Sequence, residues 1–137
     1  MTRTGPSKKV GIEFATGRLD NARAYLQAAR DALELVPDAA NANPILSQIA
    51  NAAIAYADAL TAKRKAEVNQ RDHRSAAKLL RDALGREFPD AQEKRLRRIV
   101  DIKDDVQYGA TRGRVQDARK MMDDLEKFAA WVEQTFR

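Results

Sequence analysis

Two apolar stripes with the periodicity of an α-helix lie near opposite ends of the chain, and they constrain its fold more than any other feature. The first alternates small and large apolar residues at steps of three and four: Ala15, Leu19, Ala22, Leu26, Ala29, Leu33 and Val36. The second follows the same rule: Val115, Ala118, Met122, Leu125, Ala129, Val132 and Phe136. Such seams predict two long amphipathic helices that pack closely, and roughly antiparallel, in a bundle.

The residues that interrupt the apolar pattern predict where the first two helices begin and end. We expect the first helix to run from about Ile12 to Val36, where Pro37 ends it. Pro44 suits the first turn of a second helix, with Asn43 as its cap. The apolar residues of this second helix cover more than one stripe, so we expect it to occupy the centre of the bundle.

Two further helices are predicted in the middle of the chain. A short third helix begins at its cap, Asp72, runs to Leu84 and is stopped by Gly85. The fourth helix opens after Pro89 and ends at Gly109 in the manner of a C-terminal glycine.

The last helix is predicted over residues 111–136, and no strand-like alternation appears anywhere. The sequence therefore predicts an all-α protein, an up-and-down bundle of four main helices plus one short helix. Residues 1–10 are expected to form a mobile N-terminal tail and residues 11–137 a single domain. These side chains are expected to be largely buried: Leu26, Leu33, Ile49, Ile54, Leu80, Ile99, Leu125 and Val132.

Composition restricts the classes of function. The chain has no cysteine, which excludes disulfides and thiolate metal sites and predicts a cytoplasmic setting. No apolar run approaches the length of a membrane span, so no membrane association is expected. Lys and Arg number 25 against 20 Asp and Glu, and the net charge of +5 mildly favours an anionic partner.

His73 is the only histidine, and it offers two interpretations. It could act as a general acid or base beside Arg71 and Arg74, two cations that would lower its pKa. The favoured interpretation is a partly buried histidine near a helix start. No metal-binding spacing, glycine-rich phosphate loop or nucleophile motif is present, so we predict no metal, no cofactor and no catalytic residue.

Basic residues cluster in three places. The clusters are Lys63, Arg64 and Lys65 with Arg71 and Arg74; Lys94, Arg95, Arg97 and Arg98; and Arg112, Arg114, Arg119 and Lys120. Two clusters that converged would form a patch for phosphates. Acidic residues are interleaved, however, which is typical of a salt-bridged helix surface and is favoured for each cluster taken singly. The candidate nucleic-acid contacts are Lys63, Arg64, Arg71, His73, Arg74, Arg97 and Arg98.

Two stretches of the chain carry a family resemblance. One is Tyr56-Ala-Asp-Ala-Leu60, followed by Asp72-His73-Arg74 and Leu79-Leu80. The other is Lys103-Asp-Asp-Val-Gln-Tyr108-Gly109, which leads into the final helix with Ala118, Leu125, Phe128 and Trp131. Over most of residues 12–136, this pattern resembles small stand-alone members of the HEPN superfamily (higher eukaryotes and prokaryotes nucleotide-binding domain). The resemblance implies a helical bundle that can dimerise and a link to nucleic-acid systems such as toxin–antitoxin pairs.

Active proteins of that superfamily are typically metal-independent RNases, with an Arg followed by four to six residues and a His. Measured from His73, the arginine would stand at one of three positions that hold Ala66, Glu67 and Val68. Arg64 is too far from the histidine and Arg71 is too close. The resemblance therefore transfers no catalytic residue to this chain.

The sequence favours a non-catalytic HEPN-like helical protein that acts by self-association, as a homodimer, or by binding a partner protein. The alternative is an RNA-binding protein or RNase that uses Arg71, His73 and Arg74 with altered spacing. Any RNA binding is expected to be weak and salt-sensitive, since phosphate contacts release counterions and few aromatic residues are free for base stacking.

Overall fold

The structure is a computed structural model, and it describes residues 7–69 and 75–137. Four long helices dominate: α1 (Ile12–Leu35), α2 (Asn43–Lys65), α4 (Asp90–Tyr108) and α5 (Val115–Phe136). A shorter helix, α3 (Ser75–Leu84), precedes a single 3₁₀ turn, Gly85–Glu87. The described residues therefore contain the four main helices and the one short helix that the sequence predicts. None of these helices is both long and apolar enough to cross a bilayer.

Helix α2 lies at the centre of the packing, as its sequence predicts. It contacts each of the other four helices. Every residue from Ala52 to Ala62 is buried, because alanines let the neighbouring helices approach on several sides. Because helices pack against α2 on several sides, its buried residues are not confined to a single apolar stripe.

The two stripes that predict the outer helices both face the core. All eight residues expected to be buried are buried, and Leu80, Leu125 and Val132 are fully inaccessible. The last residue of each stripe, Val36 and Phe136, is only partly buried, as is Met122 within the second stripe.

Two short β-strands, which the sequence analysis did not predict, connect the start of the chain to the end of α2. Strand β1 (Ser7–Lys9) pairs antiparallel with strand β2 (Glu67–Asn69), and the Val10 N–H donates to the Ala66 carbonyl at 2.8 Å. Ala66 has a left-handed backbone (φ 55°), which turns the chain out of α2 and into β2. A three-residue strand is too short to show alternation, so the sequence gives no signal for it.

Several predicted helix boundaries are wrong. Asn43 is not the cap of α2: it is the first helical residue, and the capping position falls on Ala42. The predicted end of the fourth helix at Gly109 is confirmed, but Gly109 has an extended conformation (φ −86°) rather than the left-handed one typical of a C-terminal glycine. Helix α5 begins at Val115 instead of residue 111. The predicted start of the third helix at Asp72 lies outside the described residues.

Candidate functional site

The basic residues at the end of α2, which the sequence nominates for nucleic-acid contact, interact within the protein. The Arg64 guanidinium forms an ion pair with Glu87 at 2.6 Å. The Lys63 ammonium lies 4.3 Å from the centre of the Phe136 ring. Arg71, His73 and Arg74, the other candidates of this region, lie outside the described residues.

The two candidates on α4 are also paired with carboxylates. Arg97 contacts Glu93 one turn earlier at 2.8 Å, and Arg98 reaches Asp124 on α5 at 3.0 Å. Burial alone would raise the pKa of Glu93, but hydrogen bonds from Arg81 and Arg97 outweigh it and lower that pKa. The four described candidates, Lys63, Arg64, Arg97 and Arg98, thus each contact a different partner within the protein.

Several hydrogen bonds join the two loops at the end of the bundle where α2 and α5 begin. The Asn43 side chain accepts a hydrogen bond from the Gly113 N–H at 2.8 Å and donates one to the Thr111 carbonyl at 3.2 Å. The Ala42 N–H donates to the Gly113 carbonyl at 3.0 Å. The Arg112 guanidinium also donates to a carbonyl of the loop that precedes α2. These bonds hold two loops together that are about 70 residues apart in sequence.

Close approach at Gly113 makes this junction sensitive to added volume. A Cβ atom there would lie 2.6 Å from the Leu46 side chain and 2.7 Å from the Asn43 amide oxygen. Gly113→Ala should therefore lower the free energy of unfolding by about 1–3 kcal/mol, which urea denaturation can measure. Gly17→Ala is the matched control. It adds the same methyl group within α1 with no atom inside 4 Å, and should raise stability by about 0.5–1 kcal/mol. Equal effects of both substitutions would contradict the close packing at Gly113.

On one side of this junction lies a cavity of about 450 Å³, which we call the apolar cleft. Its apolar wall comes from α2, α4 and α5 and consists of Leu46, Ile102, Val106 and Met121. Its polar residues are Asn43, Asp105, Thr111, Asp117 and Lys120. A preformed concave surface with mostly apolar walls and a few polar groups is typical of binding sites.

On the other side of the junction lies a second cavity, of about 570 Å³, which we call the arginine pocket. It is lined by the loop before α2 and by the first turns of α5. Its charged residues are Asp38, Arg112, Arg114 and Arg119. Gly113 lines both cavities, so the two are neighbours.

Three buried polar groups were not identified by sequence analysis as important. Asp58 is 6% exposed and pairs with Arg18 of α1 at 3.1 Å; burial raises its pKa to about 6 despite this partner. Tyr56 is buried near Glu133, and burial, together with that carboxylate, raises the tyrosine pKa to about 12.

The third group is Lys103, which is 8% exposed. Its ammonium donates to the Asn51 side chain at 2.8 Å, and burial lowers its pKa. A charged residue within an apolar helical stripe was the available signal, and both Asp58 and Lys103 fit it.

No three potential metal-ligating side chains come together in the described part of the chain. Comparison with known proteins found no family model that matches the chain and no curated protein with significant sequence similarity.

Proposed function

We propose that this chain is a non-catalytic, HEPN-like protein, an up-and-down helical bundle that acts by association, above all with a second copy of itself. The observation that carries the proposal is an exposed leucine at the same end of the bundle as a preformed apolar cleft. Leu35 is the last residue of α1, and 84% of its surface is exposed. The loop that follows it is bonded to residues 112 and 113, which places Leu35 at the end of the bundle that holds the cleft.

At this end of the bundle, each of two copies could cover the exposed leucine of the other. In a dimer with a twofold axis, Leu35 of each copy would enter the apolar cleft of the other, so that one contact is made twice. Complete burial of a leucine side chain contributes about 1.5–3 kcal/mol, and the pair of contacts would supply a central apolar anchor. Charged residues at the cleft, Asp105 and Lys120 among them, would remain at its polar rim.

Sedimentation velocity tests this proposal. The unmodified protein should form a dimer at micromolar concentration, and Leu35→Glu should weaken dimerisation at least about tenfold, because a carboxylate is costly to place in an apolar cleft. Ile12→Glu is the matched control, since Ile12 is 59% exposed at the opposite end of α1. A monomer at all concentrations, or equal weakening by both substitutions, would refute self-association through this end.

The alternative function, RNA binding or cleavage, receives less support. Its central residues, Arg71, His73 and Arg74, lie outside the described part of the chain. Among its other candidates, Arg64, Arg97 and Arg98 form ion pairs that RNA phosphates would have to replace. The proposed setting is the cytoplasm, and the resemblance favours a toxin–antitoxin system, in which a partner protein would complete the assembly.

A further inference from the structure

We propose that the arginine pocket is a binding site for a phosphate group, either inorganic phosphate or a small phosphomonoester. This inference does not rest on self-association. It starts from the third basic cluster of the sequence. The fold brings three of its four members, Arg112, Arg114 and Arg119, to a single cavity of about 570 Å³, whereas Lys120 lines the apolar cleft. Three arginines that line one concave surface offer the charge and the N–H donors that a phosphate oxyanion prefers.

The positive charge of this pocket is less compensated than elsewhere on the bundle. Arg23 and Arg30 of α1 reach carboxylates on α5 at 2.6 Å and 2.5 Å. In the pocket, Arg119 comes no closer than 3.8 Å to Asp38, a side chain that is 99% exposed. Arg114 contacts Asp117 at 3.4 Å. The pocket therefore keeps cations whose ion pairs are long and solvent-exposed, and an anionic ligand can displace such pairs at little cost.

Arg112 has a different role in the pocket. Its guanidinium donates to the Ala39 carbonyl, and the described residues provide it with no carboxylate partner. This bond fixes the guanidinium between the two loops while its other N–H groups remain available as donors. A cation that is positioned before the ligand arrives loses less side-chain entropy on binding.

Backbone donors line the same cavity. Val115 and Gln116 lie in the first turn of α5 and line the pocket. The first N–H of the helix that bonds back to the Arg114 carbonyl is that of Asp117. In the described part of the chain neither of their N–H groups has a hydrogen-bond acceptor. Together with the arginines, they provide neutral donors that suit phosphate oxygens.

An NMR titration of the full chain with inorganic phosphate tests the site directly. The amide resonances of Val115 and Gln116 should shift and saturate, and phenyl phosphate in a parallel titration shows whether the site prefers a free phosphate or a monoester. Arg119→Gln should weaken binding at least about tenfold, because it removes charge-assisted hydrogen bonds. Arg119 is half exposed and lies 3.8 Å from the exposed Asp38, so this substitution should leave the fold intact.

The matched control is Arg97→Gln. Arg97 on α4 is 52% exposed and Arg119 is 54% exposed, so both substitutions remove one positive charge of similar accessibility. The control should change phosphate affinity less than about twofold if the arginine pocket is the site. Absence of saturable shifts at Val115 and Gln116 with either ligand, or equal weakening by the two substitutions, would overturn the proposal. The Leu35→Glu variant should bind phosphate normally, which separates this result from that of self-association.

Discussion

Replacement of Leu125 by alanine should lower the free energy of unfolding by about 2–5 kcal/mol. Leu125 is fully inaccessible in the middle of α5, and its side chain belongs to the core that α2, α4 and α5 share. Truncation removes its contacts and leaves a cavity that surrounding helices can fill only in part. Contacts hold α5 on both sides of Leu125, since Gly113 bonds to Asn43 before the helix and Glu133 pairs with Arg23 near its end.

Urea denaturation at one fixed protein concentration measures this effect, since dimerisation would make the unfolding midpoint depend on concentration. Ile12→Ala is the control, because it removes a side chain of the same size at a position that is 59% exposed. We expect it to cost less than about 1 kcal/mol. A loss below that value for Leu125→Ala would mean that the second apolar stripe does not face a packed core.

The helical part of the fold was predictable because its signals are local. Stripes such as that from Ala15 to Leu33 specify both the helix and the face it buries, and the structure places both as expected. The errors occur where the partner of a residue is distant in sequence. Asn43 has a side chain suited to capping its own helix, but it bonds instead to Thr111 and Gly113. Only the packing of the helices brings the loop with Thr111 and Gly113 close to Asn43.

The candidate site was less predictable for the same reason. The sequence shows that Arg112, Arg114 and Arg119 form a basic cluster, but not that a loop carrying Asp38 encloses them in one cavity. The apolar cleft combines Leu46 with residues from two other helices, and no spacing in the sequence encodes that combination. Periodicity describes one helix at a time, whereas a binding surface depends on how several helices meet.

Asp58 should give the stability of the protein a distinctive dependence on pH. Burial raises the pKa of this carboxyl from 3.8 to about 6, although Arg18 opposes the shift. Between these two values the folded protein holds a proton that the unfolded chain has released. Stability should therefore fall as the pH rises through this window, which is the opposite of the usual behaviour of a carboxylate in an ion pair.

The Asp58→Asn variant isolates this contribution, because the amide has nearly the same shape and does not titrate. Relative to the variant, the unmodified protein should lose about 2 kcal/mol of unfolding free energy between about pH 4 and about pH 7. Glu93 and Glu133, whose pKa values are lowered, affect stability at more acidic pH, and both residues are present in the two proteins. Urea denaturation across this pH range provides the measurement.

Asp20→Asn makes the same chemical change at an exposed position of α1 and serves as the control. Its stability should follow that of the unmodified protein across the whole range, because the substitution leaves the buried Asp58 in place. If the difference between the unmodified protein and Asp58→Asn stayed constant with pH, or grew in favour of the unmodified protein as the pH rose, the Arg18 ion pair would dominate. Asp58 would then be an ordinary stabilising carboxylate rather than a desolvated one.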